Sequence, residues 1–138
     1  MKIFATDALM IDLDNERWEC RGCGAALGSA SEPYKTGLLV RAREPQAIHA
    51  PILDPERYEF TFAPDPAWVR LLEYCCPACG RLAEVEYLPP GHPPAVDIEF
   101  DLDALKAQWA SREPLTAPVL GPEFVPPPHH HKKHGDAR

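Results

Sequence analysis

Two short stretches, "CRGCG" at 20–24 and "CPACG" at 76–80, constrain this chain more than anything else in it. Each sets two cysteines three positions apart and follows the second with glycine. The two-residue spacer lets both sulphurs of a pair face one point. The glycine permits the left-handed turn by which backbone N–H groups come to face the thiolates. Two such knuckles supply four thiolates, the donor set of a closed tetrahedral Zn²⁺ site. The spacing thus marks Cys20, Cys23, Cys76 and Cys79 as metal ligands. Positions 24–75, 52 residues, separate the two pairs. That is longer than in compact zinc ribbons, so a substantial insertion lies between the knuckles.

The fifth cysteine, Cys75, ends the apolar run "WVRLLEYC". An odd count speaks against a closed disulfide framework. Cys75 reads as a small core hydrophobe, because a Cys75-x₃-Cys79 pair fits the knuckle turn less well. A thioredoxin-like redox pair wants a helix opening at the motif within a βαβ unit. Here "CPACG" runs into the strand-like "RLAEVEYL". Rubredoxins hold a single iron in similar knuckles, which keeps Fe as a lesser alternative to Zn²⁺. A closed site of four cysteines leaves no open coordination position, so catalysis directly at the metal is not expected.

A chain of 138 residues has room for one domain and a tail. Its net charge of −7 argues against a nucleic-acid partner, which needs clustered Lys and Arg. No stretch reaches the ~18 apolar residues of a membrane helix. The start "MKIFATDALMIDLD" lacks the pattern of a signal peptide. A cytoplasmic protein with reduced thiols is the expectation.

The pattern predicts a mostly β, α+β chain: a small zinc-ribbon-like β domain over 1–110, with one C-terminal helix, then an extended Pro- and His-rich arm over 111–138. In "ALMIDLDNERWECRGCG" (8–24) the alternation of Leu9, Ile11 and Leu13 predicts a strand running into the first knuckle. The segment 28–37 reads as a loop and 38–43 as a short strand. The three prolines of 44–56 predict an extended connection. "RYEFTFA" (57–63) alternates Tyr58, Phe60 and Phe62 with polar residues and predicts a strand. The runs 69–75 and 81–88 predict a hairpin with the second knuckle at its tip. "VDIEF" (96–100) predicts one more short strand. "DLDALKAQWA" (101–110) is the best helix, with Asp101 as N-cap. Its stripe of Leu102, Leu105 and Trp109 packs either on this domain's own sheet or on another subunit.

Catalytic motifs are missing: the sequence holds no Gly-rich phosphate loop, G-x-S-x-G or H-E-x-x-H. The acidic cluster Asp97, Glu99, Asp101 and Asp103 reads as a solvated face plus a helix cap. His49 and His92 are isolated. The tail carries Leu115, Val119, Leu120, Phe124 and Val125 among prolines, which suggests an arm along a partner surface.

Taken together, "WECRGCG" (18–24), "EYCCPACGRLAEVEYLPPGHPP" (73–94) and "DIEFDLDAL" (97–105) resemble the gamma subunit of acetone carboxylase and its counterpart in acetophenone carboxylase. The resemblance spans most of residues 8–110. It implies an accessory, zinc-binding assembly subunit of an ATP-dependent, biotin-independent ketone carboxylase. Large hydantoinase- or oxoprolinase-like subunits would be its partners and would carry ATP, bicarbonate and the choice of ketone. Carried over residue by residue, the ligands it implies are again Cys20, Cys23, Cys76 and Cys79. From the residues alone, a zinc-ribbon nucleic-acid module and a rubredoxin-like electron carrier stand as the alternatives.

Overall fold

In the computed structural model, which describes residues 1–113, the chain folds into two antiparallel sheets and one substantial helix. The first sheet is a four-stranded meander of β1 (Lys2–Phe4), β2 (Leu9–Asp12), β3 (Arg17–Cys20) and β4 (Ala26–Ser29). A 3-10 turn at Tyr34–Gly37 leads to the second sheet. That sheet comprises β5 (Leu39–Arg43), β6 (Arg70–Cys75) and β7 (Leu82–Leu88), with β6 in the centre. A single helical turn, α1 (Pro45–Ile48), follows β5, and α2 (Leu102–Ala110) closes the described part. The arm expected over 111–138 lies outside the described residues from 114 onward.

Alternation explains the faces that meet in the core, while Leu71, on the opposite side of β6 from Leu72, is buried outside that cluster. In the first sheet Ile3 pairs with Ile11, Ile11 with Trp18, and Leu9 with Cys20, so one face buries all five. In the second sheet β6 buries Leu72 and Tyr74, and the chain places Cys76 in the same core. These side chains form one hydrophobic cluster across both sheets. Trp18 sits inside it, edge-on to Tyr34 at 5.5 Å and tilted against Phe100 at 6.0 Å. Its indole N–H donates to the Glu32 carbonyl at 2.9 Å, so its one polar group is satisfied. Leu102, Leu105 and Trp109 of α2 pack half-buried against this cluster, so the helix stripe serves the chain's own core.

Several expectations are corrected. The run 8–24 is a hairpin of two strands. The Asp12 carboxylate accepts from the Asp14 N–H at 3.1 Å and the Asn15 side chain at 2.7 Å, and these bonds bend the chain there. Asp12 is therefore buried although the alternation points it outward. The strand expected over 57–63 is absent: Phe60 and Phe62 are 67% and 60% exposed, and Phe62 adopts φ +60°. Alternation forms a strand only where another strand and a core lie beside it. Prolines at 51, 55, 64 and 66 block such pairing on both flanks. The segment 96–100 is likewise no strand. Side-chain bonds hold its start: Tyr34 donates to Asp97 at 2.9 Å, and the Lys35 ammonium reaches the Ala95 carbonyl at 2.8 Å.

Candidate metal centre

Each knuckle is the tip of a hairpin, and the two tips are built alike. In the first, the Cys20 N–H donates to the Ala25 carbonyl at 2.9 Å and the Gly24 N–H to the Cys20 carbonyl at 2.8 Å. In the second, the Cys76 N–H donates to the Arg81 carbonyl at 2.9 Å and the Gly80 N–H to the Cys76 carbonyl at 2.9 Å. Gly24 and Gly80 take φ of +74° and +71°, the left-handed turn that glycine alone adopts without steric cost. The leading cysteine of each pair, Cys20 and Cys76, continues its sheet's inner face and is buried. The trailing one, Cys23 and Cys79, sits on the exposed turn.

The four Sγ atoms lie within 4.8 Å of one another. Cys20 and Cys79 approach to 3.8 Å, as do Cys23 and Cys76, so both close contacts cross between the knuckles. Tetrahedral metal–thiolate bonds of ~2.3 Å separate the sulphurs by ~3.8 Å, so this donor set fits a tetrahedral ion. Cys75 takes no part in the cluster. It lies half-buried on β6, in register with Leu39 and Leu82.

The environments of Cys76 and Cys23 push their thiols in opposite directions. For Cys76, burial pushes the thiol up, but the N–H groups of Cys79 and Ala78 and the thiols of Cys20 and Cys79 outweigh it and bring it down to about 7. For Cys23, the Ala25 N–H pulls down. The Cys79 thiol, burial and the other two thiols prevail, and Cys23 is pushed up to about 12. Four sulphurs this close cannot all ionise without a cation among them. Backbone N–H groups thus favour thiolate at Cys76, and the four sulphurs together could hold a metal ion.

Two residues beside the site escape a reading of the sequence. The guanidinium groups of Arg21 and Arg81, one from each knuckle, both donate to the Asp7 carbonyl at 3.4 Å. Arg81 also packs on Gly22, where an added Cβ would meet its side chain at 3.0 Å. Two cations thus flank a cluster that four thiolates and a divalent ion would leave at net −2. The only sequence signal is that each arginine adjoins its knuckle.

The other marked positions fall elsewhere. Asp101 caps α2, accepting from the Ala104 N–H at 3.0 Å. Asp97 binds Tyr34 and, at 3.3 Å, Lys35, so the acidic run 97–103 is not one solvated face. His49 bonds to the Tyr87 hydroxyl at 2.6 Å. No helix of the described residues is long and apolar enough to cross a membrane.

Comparison with known proteins places the sequence in a family. The family model described as acetone carboxylase gamma subunit matches residues 3–110. The acetophenone carboxylase beta subunit of Aromatoleum aromaticum is 52% identical over 107 residues, 78% of this chain and 81% of that protein. The acetone carboxylase gamma subunit of Xanthobacter autotrophicus is 30% identical over 97 residues, 69% of this chain and 54% of that protein. The matched region contains both hairpins, all four clustered cysteines and α2, and the chain belongs to the acetone carboxylase gamma subunit family.

Proposed function

We propose that this chain is the small, zinc-stabilised assembly subunit of an ATP-dependent, biotin-independent ketone carboxylase. The observation that carries the reading is the coincidence of the family match over 3–110 with four thiols grouped for a tetrahedral ion. Cys20, Cys23, Cys76 and Cys79 would hold Zn²⁺, which supplies folding energy and no open coordination position. ATP and bicarbonate would then act on large hydantoinase- or oxoprolinase-like subunits in the cytoplasm. The relative at 52% identity is a beta subunit of acetophenone carboxylase, which supports an aromatic ketone as the substrate of the assembly.

Purification of the native complex from the source cell tests the proposal. Recovery together with large carboxylase subunits, with one zinc per chain and no colour, is the expected result. Recovery as a free chain would overturn the assembly role. A red, iron-containing preparation would overturn the choice of metal.

A further inference from the structure

Between Gln46 and Arg70 not one residue is buried. The stretch nevertheless carries six exposed large apolar side chains: Ile48, Ile52, Tyr58, Phe60, Phe62 and Trp68, with Ile52 and Trp68 each 78% exposed. Taking ~150–250 Å² for an aromatic side chain, their exposed surface is on the order of 700 Å². It approaches the ~800 Å² that one partner contributes to a standard interface.

The patch has a shaped centre. Phe60 and Phe62 stack edge-on at 4.6 Å. Together with His49, Ala63, Pro64 and Tyr87 they line an open recess of about 470 Å³, large enough for an aromatic side chain. Phe62 holds φ +60°, a conformation costly for an aromatic residue and one that turns its ring beside Phe60. The segment that carries the recess is acidic. Residues 46–68 carry four acidic groups, Asp54, Glu56, Glu59 and Asp65, against one basic group, Arg57, a net of −3.

We infer that the 46–68 excursion is the docking surface of this chain, and that its occupant is a protein surface with an apolar pocket ringed by Lys and Arg. The net negative charge of the segment selects a basic counterpart and disfavours a second copy of this chain, which would set like charge against like charge. The inference rests on the subunit reading above: the occupant is the neighbouring subunit of the same carboxylase. Inserted between β5 and β6, the excursion projects from the second sheet without contributing to the core. Evolution of the contact is thereby separated from the stability of the fold.

The test co-expresses the full chain with the large subunits of the carboxylase from its own source cell and measures co-purification, metal content and melting of the free chain. Three variants are compared: Phe60→Asp with Phe62→Asp, Glu59→Lys with Asp65→Lys, and Gln108→Asp on exposed α2 as a control. The aromatic pair variant is expected to bind about thirtyfold or more weakly, as loss of two anchors implies. The charge variant is expected to lose binding most at low salt. Both should keep metal content and melting temperature, and Gln108→Asp should keep everything. Unchanged co-purification of the aromatic variant overturns the inference, and so does loss of its metal or fold. A wild-type dimer broken by the aromatic variant would make the occupant a second copy. Dye binding at the patch that rises on deletion of 114–138 would make the occupant the chain's own tail. Failure of the wild type itself to co-purify would instead sink the subunit reading, and the docking surface with it.

Discussion

Cys20 and Cys76 differ from Cys23 and Cys79 in a way that matters for mutation. The first two lie within the hydrophobic cluster, and the second two on exposed turns. Replacing any of them removes a thiolate, but Cys20→Ser or Cys76→Ser also leaves a hydroxyl in the core. Metal binding contributes roughly 10–16 kcal/mol to the folding of small zinc sites, more than a typical domain's whole stability. Cys20→Ser and Cys76→Ser are therefore expected to give metal-free, unfolded or insoluble chain at 25 °C. Cys75→Ser should retain one metal per chain and shift melting little. Metal analysis and circular dichroism of the three proteins distinguish these outcomes, and equal zinc content in all three would refute the ligand assignment. A different residue-scale constraint sits at Gly37, where a Cβ would lie 1.4 Å from the Leu27 carbonyl oxygen. Nothing in the sequence around Gly37 announces this approach, because the crowding comes from a strand ten residues away.

At the scale of elements, α2 is nine residues long and too short to persist alone. It depends on its Asp101 cap and on packing of Leu102, Leu105 and Trp109. Asp101→Ala is expected to cost about 1 kcal/mol, read as a lowered urea midpoint with an unchanged slope. The cap was legible because an N-cap is a local rule involving residues three apart. The same locality made the β6–β7 hairpin legible, since a knuckle flanked by apolar runs folds back on itself. It failed for 57–63, where the alternation is real but no strand stands beside it. A strand is a pairing, and its partner is not written in the strand.

At the scale of the whole molecule, two long-range groupings among the described residues stand out. One is the cysteine cluster, which brings the β3–β4 tip and the β6–β7 tip together across 52 residues and which a metal would staple. In a loop-closure account, a cross-link over a loop of this length contributes about 4 kcal/mol by restricting the unfolded chain. Treatment with a strong chelator should accordingly lower the melting temperature reversibly, with recovery on adding Zn²⁺. An unchanged melting curve in chelator would show that the cluster is not a metal staple. The other grouping centres on Lys35, almost fully buried between the Tyr34 and Tyr74 rings. Its ammonium reaches Glu86 of β7 at 3.2 Å, and Tyr74 donates to the same carboxylate at 2.7 Å. Burial raises the Glu86 pKa, but Tyr74, the Ala95 N–H and Lys35 outweigh it and hold the carboxyl below its ordinary 4.5. A carboxyl depressed in the folded state stabilises above its unfolded value and loses that contribution as pH falls through the folded one. Wild-type stability should therefore drop below about pH 4.5 more steeply than that of Glu86→Gln, as acid titrations of melting temperature would reveal. Parallel curves would remove Glu86 from the acid response.

The sequence alone determined what depends on near neighbours: the two knuckles with their glycines, the hairpin around the second, the capped helix and the acidic charge. It also carried the family, because those local features occur together and in order. Only the tertiary structure decided that Cys20 and Cys76 end two separate inner faces, and that Lys35 finds its carboxylates 51 and 62 residues away at Glu86 and Asp97. It also decided that the aromatic alternation of 57–63 faces outward. The division is physical. Spacing within a turn sets local backbone geometry, whereas burial is a property of whatever the fold brings alongside. Beside 57–63 no strand of the described residues pairs, and that missing partner leaves the three aromatic residues of the expected strand exposed.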